Sequence, residues 1–192
     1  MNRGSGWLVA LSCGLLGGCT PSEDPPPGGA QDSTPVAPSP APPPGAWQVR
    51  YDGIGPIRIG ATVAELAAAL NTRLTRADSL DTRCDYVRAP EVIPGVWFMV
   101  VEGRIARLDI DSAGPPTVEG ARVGDDTASV QRLYAPRVVV SPHKYTDGQY
   151  FTVTPTVPVD SGFRLIFEAD GGRVTHYRAG RLPEVRWVEG CS

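Results

Sequence analysis

Apolar and polar positions along this chain fall into short blocks, and one block pattern occurs twice. Ile57-Arg58-Ile59-Gly60-Ala61-Thr62-Val63-Ala64-Glu65-Leu66 reads as a β-branched strand end, a glycine turn, a capping residue and a helix start. Ala121-Arg122-Val123-Gly124-Asp125-Asp126-Thr127-Ala128-Ser129-Val130 repeats that order. Thr62 and Glu65 have the spacing of a capping box, in which hydroxyl and carboxylate each satisfy a backbone donor of the helix start. In the second copy Asp126 takes the cap, and Ser129 replaces the glutamate, so half of the device is kept. The first helix is predicted over 63–71, with Val63, Leu66 and Leu70 on one apolar face. The second presents Val130, Leu133 and Tyr134 inward and is stopped by Pro136.

Period-two and continuous apolar runs predict the strands. A lead-in strand is expected over 48–52. Residues 95–101 are apolar on both faces, as in a covered central strand. Further strands are expected over 105–111, 137–141, 150–153 and 164–168, then one ending at Tyr177 and a last one over 185–189. Gly103-Arg104-Ile105 and Gly172-Arg173-Val174 follow the two helices as hairpin turns, where glycine supplies the positive φ. Residues 73–90 read as polar and irregular, anchored by Cys84 and Tyr86. Together these elements predict an α+β fold. Two repeated strand–helix–hairpin units, about 46–113 and 114–192, form an antiparallel sheet with the helices packed on one face.

The N-terminus changes the setting. Arg3 precedes a short apolar run over 7–16, shorter than the ~20 residues a spanning helix needs. Residues 1–18 therefore read as a secretory signal. Its boundary, Leu16-Gly17-Gly18-Cys19, resembles the lipobox of bacterial lipoproteins, which implies that Cys19 is acylated and becomes the first mature residue. Thr20 after the cysteine, rather than aspartate, resembles outer-membrane routing. The resemblance implies an envelope protein held to the membrane by lipid and facing the periplasm or the exterior. Residues 20–45 hold half of the chain's 20 prolines, with three acids and no lysine or arginine. Such a stretch cannot bury a core, so 19–45 is expected to be a lipidated cysteine and a disordered tether, and 46–192 the folded domain.

Cysteine usage agrees with export. With Cys13 lost in the signal and Cys19 lipidated, Cys84 and Cys191 remain, an even pair where disulfides persist. Cys191 lies one residue from the end, where a thiol has little reason to be buried, so a Cys84–Cys191 bridge is expected over two buried thiols. The net charge of −3 excludes nucleic acid as a natural partner, because no basic stripe is available to displace its counterions.

The pattern Ile57, Gly60, Thr62, Glu65 and Leu66, with its weaker copy at Val123, Gly124 and Asp126, supports a second resemblance. It resembles the tandem domains of the β-lactamase inhibitor protein family, and also the small outer-membrane lipoproteins that support barrel-protein assembly. The match covers about a third of the domain. Ala61 stands where those families have methionine, and the second copy lacks the threonine. The resemblance implies a non-enzymatic, macromolecule-binding module, an inhibitor or an assembly accessory, and transfers no functional residue.

Candidate chemistry is sparse. Ser141, His143 and Asp147 share one loop and are the residues of a possible hydrolase, without the strained elbow that presents a nucleophile. His143 and His176 lack tight ligand spacing, Asp109 with Asp111 and Asp125 with Asp126 do not form a calcium loop, and Gly171-Gly172 reads as a turn. No metal, cofactor or catalytic residue is therefore expected. The loop 143–150 is the most polar and aromatic in the domain. His143, Lys144, Tyr145, Asp147 and Tyr150, with Tyr177 and Trp187 from later strands, are the candidate binding residues, since exposed aromatics anchor protein interfaces. A small-ligand or carbohydrate binder using the same aromatics is the alternative, and a hydrolase at His143 a second one.

Overall fold

Thr62 begins the first helix as its spacing predicts. Its hydroxyl accepts the Glu65 backbone N–H at 3.2 Å, and the Glu65 carboxylate accepts the Thr62 N–H at 2.7 Å. Asp126 caps the second helix alone, accepting the Ser129 N–H at 2.8 Å. The computed structural model describes residues 47–77 and 83–191. The expected signal segment, the acylated Cys19 and the tether lie outside the described residues.

Short strands β1 (Val49–Arg50), β2 (Gly53–Ile54) and β3 (Ile57–Arg58) make a three-stranded antiparallel sheet before helix α1 (Val63–Leu70). Next come β4 (Thr75–Arg76), β5 (Cys84–Arg88), β6 (Val96–Val101) and β7 (Arg104–Ile110). Helix α2 (Thr127–Tyr134) leads to β8 (Val138–Pro142), β9 (Gln149–Val153), β10 (Phe163–Asp170) and β11 (Arg173–Arg181). The eight later strands form one sheet in the order β4-β5-β6-β7-β11-β10-β9-β8, with every pairing antiparallel. The class is mixed helix and strand, with strand in the majority.

Register sorts the side chains into two faces. One cross-strand row runs Val96, Ile110, Tyr177, Phe167, Phe151 and Val140; the next runs Phe98, Leu108, Ala179, Leu165, Val153 and Val138. Apart from the exposed Val140, these rows join Leu66 and Leu70 of α1 and Val130 and Tyr134 of α2 in one apolar cluster. Full burial of each such side chain stabilises by about 1.5–3 kcal/mol before entropy is counted. The opposite face carries Trp97, Asp109, Arg178, Ile166 and Thr152 in one row, with Met99 and Arg107 in the next.

Three expectations change. Leu133 is 41% exposed rather than inward. The Tyr134 ring lies 5.5 Å from Phe167 and its hydroxyl is bonded to Thr117 at 2.6 Å, which sets the helix rotation and turns Leu133 to solvent. Residues 84–88, read as irregular, are the strand β5, because Val87 pairs with Phe98 and points into the core. The final strand expected over 185–189 is absent: Glu184–Arg186 is a 3-10 turn, and the chain around it crosses the sheet as a strap instead of pairing.

Candidate functional site

The strap over 182–191 makes the site, and two arginines and a disulfide hold it in place. Cys84 and Cys191 are bonded, with Cα atoms 5.3 Å apart, as the cysteine usage predicts. Val185 is buried against Tyr150 and Ile166 of the strap-bearing face. Arg107 is almost fully buried, and its fork is spent on the strap and its surroundings. Nη1 donates to the Glu184 and Trp187 carbonyls at 3.0 and 2.6 Å, Nη2 to the Tyr86 hydroxyl at 2.6 Å, and Nε to Asp109 at 2.8 Å. Arg178, also buried, donates from Nε to the Val185 carbonyl at 2.8 Å and from Nη1 to Glu168. Buried cations persist only when paired and hydrogen-bonded in this way.

The loop 143–148 meets the strap at its far end. The Tyr145 hydroxyl donates to Glu189, and Lys144 Nζ reaches the same carboxylate at 3.2 Å while lying 4.7 Å from the Tyr145 ring centre. Hydrogen bonds from Tyr145 and Lys144 hold the Glu189 carboxyl below its ordinary range, and contacts to Tyr145 and Glu189 raise Lys144. Beside this knot lies a cavity of about 630 Å³, lined by Arg83, Val101, Lys144, Arg186, Trp187 and the disulfide among others. Tyr145 is 57% exposed and Trp187 37% exposed. A smaller recess of about 390 Å³ on the same sheet face holds Trp97, Asp109, Asp111 and His176.

The structure divides the candidate residues. Lys144, Tyr145 and Trp187 come together at the strap, and Asp147 is exposed on the turn. Tyr150 is buried rather than partly exposed. It stacks on His143 with ring centres 4.5 Å apart beneath Val185, and its hydroxyl has no hydrogen-bond partner. Tyr177 is core on the opposite face, because its row pairs it with Phe167 and Ile110, and its hydroxyl donates to the Pro115 carbonyl. His143 serves the turn: Nδ1 accepts the Tyr145 and Thr146 N–H groups at 3.1 and 3.2 Å, and Nε2 faces Glu168 at 3.4 Å. None of its hydrogen bonds reaches Ser141 or Asp147, so those three do not form a triad. Among the described residues no group of three His, Cys, Asp or Glu side chains is placed to hold a metal ion. None of the described helices is long and apolar enough to cross a membrane.

The sequence reading missed Arg107, Arg178, Glu168 and Glu189. A signal for the arginines was present: each stands inside a strand with apolar residues on both sides, where a charge requires a built partner. No family model matches the sequence, and neither a curated protein nor a solved structure matches it.

Proposed function

We propose that this chain is a lipid-anchored cell-envelope protein whose folded domain binds another macromolecule without catalysis, as an inhibitor or an assembly accessory. The observation that carries the reading is the pair Tyr145 and Trp187. Both rings are exposed: the Tyr145 hydroxyl is tied to Glu189 of the strap, and Trp187, whose backbone carbonyl is held by Arg107, lines the cavity that Glu189 also lines. Aromatics held rigid before binding lose little entropy on contact, which is the character of interface anchors. The lipobox-like Leu16-Gly17-Gly18-Cys19 and the proline-rich 20–45 support the anchor and the spacer.

Matched details support reading the domain as two repeated units. The Gly60 N–H donates to the Ile105 carbonyl at 2.7 Å, and the Gly124 N–H to the Val174 carbonyl at 2.8 Å. Arg104 Nη1 donates to the Gly60 carbonyl at 2.8 Å, and Arg173 Nη1 to the Gly124 carbonyl at 3.0 Å. Each following hairpin carries one bulge, between Met99 and Val100 and between Glu168 and Ala169.

A photo-crosslinking side chain at position 145 or 187, in lipidated protein in its native envelope, tests the reading. One discrete protein adduct from both positions, absent from a control at Thr154, is expected. Adducts only to lipid, or none from either position, overturn it. The cavity favours small-ligand or carbohydrate binding as a second reading, and that reading gains if a soluble sugar or peptide abolishes Trp187 labelling.

A further inference from the structure

The two edges of the eight-stranded sheet are finished differently. At one edge β4 has only two residues, and its Arg76 pairs with Asp85 at 2.6 Å. At the other, β8 is Val138-Val139-Val140-Ser141-Pro142, with no charge in five residues. Val139 is 65% exposed and Val140 39% exposed. Exposed apolar edge strands pair with other strands unless charge, proline or a cover prevents it.

The backbone of β8 tells which groups are open. Its register on β9 is continuous, and it is bracketed by hydrogen bonds from His143 N–H to the Gly148 carbonyl at 2.9 Å and from Thr154 N–H to the Arg137 carbonyl at 3.1 Å. Antiparallel alternation then commits Arg137, Val139, Ser141 and His143 to β9 and turns the N–H and C=O of Val138 and Val140 outward. Pro136 and Pro142, which have no N–H, bound this segment equally on either side of Val139.

We propose that β8 pairs with β8 of a second copy of this chain, antiparallel about a two-fold axis at Val139. In that register Val138 of one copy faces Val140 of the other, and all four outward groups of each strand find partners. A register centred at Val140 leaves the Val138 carbonyl opposite Pro142, which has no donor. No like charges meet: Arg137 faces Ser141 of the second copy, and its guanidinium is already turned to Tyr51 at 2.6 Å. On the helix side a groove of about 450 Å³, lined by Gln131 and Arg132 as well as by Ala135, Pro136, Val138 and Val140, gives the second copy's valines apolar surface beside a polar one. An isologous contact of this kind closes after two copies.

The test uses the full chain purified in detergent. Its mass by light scattering is expected to be that of a dimer, and Val139→Lys, which sets two cations side by side at the axis, is expected to halve it with the circular dichroism unchanged. Val139→Cys should form a disulfide dimer, since Cα atoms of a non-hydrogen-bonded pair stand ~4.5 Å apart, within the range a disulfide spans. Val140→Cys, two residues out of step with its own copy, should remain at the wild-type background. A monomeric wild type, a dimer that survives Val139→Lys, a Val140→Cys cross-link stronger than that of Val139→Cys, or cross-linking of position 139 to a different protein each overturns the proposal.

Discussion

On the helix-bearing face of the sheet, Phe98, Leu108, Phe167 and Tyr177 meet α1 and α2 in an apolar cluster that draws residues from both ends of the domain. On the other face a short strap lies over the strands with Val185 as its one fully buried apolar side chain. What the strap lacks in area is supplied by a disulfide and by two buried arginines aimed at its carbonyls. The difference shows how the number of buried apolar anchors decides the means of attachment. Helix α1 has two buried leucines and its own capping box, and needs no covalent tie. The strap has one such anchor, so covalent and charge-assisted contacts take over.

The largest expected effect is on the helix side. Phe167→Ala removes a ring packed between Tyr134 at 5.5 Å and Tyr177 at 5.2 Å. Denaturant titration should show a loss of about 3–5 kcal/mol. A loss no larger than that from opening the disulfide breaks the contrast between the faces.

Opening the disulfide comes next. Cys191→Ala frees a loop of 107 residues and should lower stability by about 2–4 kcal/mol. The damage should also be local. Limited proteolysis is expected to cut within 182–191, while amide exchange stays slow in β6, β7, β10 and β11. Equal loss of exchange protection on both faces would mean that the strap is integral to the core.

That division also explains what could be read from the sequence. Thr62 with Glu65, Asp126 alone, the apolar run of β6 and the pairing of Cys84 with Cys191 are local or compositional signals, and the structure has each of them. Tyr150 and Tyr177 defeated the reading because face depends on register, and a bulge between Glu168 and Ala169 shifts the pairing of β10 with β11. Residues 185–189 carry the apolar content of a strand, and a segment lying across a sheet and one paired within it both favour such residues. Nothing local reveals that Arg107 bonds Trp187, 80 positions away. Lys144 and Tyr145 were found because a polar, aromatic turn is conspicuous in itself, but their common partner Glu189 was not.

The smallest expected effect separates the faces by titration. Tyr86 lies on the strap-bearing face, its hydroxyl accepting from Arg107 Nη2 at 2.6 Å. Burial pushes the Tyr86 phenol from 10.0 up to about 12, with Asp109 acting in the same direction and Arg107 opposing. The neutral phenol is thus favoured in the folded state. Between these two values the unfolded chain has lost its proton while the folded one keeps it, so stability falls as pH rises through that window. Tyr86→Phe should cost about 1 kcal/mol at neutral pH, because Arg107 Nη2 loses an acceptor, and it should remove the Tyr86 share of the alkaline loss. Burial also raises Tyr134 and Tyr177 on the helix-bearing face, but their contribution is common to both proteins and cancels in the difference. Denaturant titrations of the wild type and Tyr86→Phe at stepped alkaline pH should therefore converge as the window is crossed. Parallel curves would assign the alkaline loss to the helix-bearing face alone.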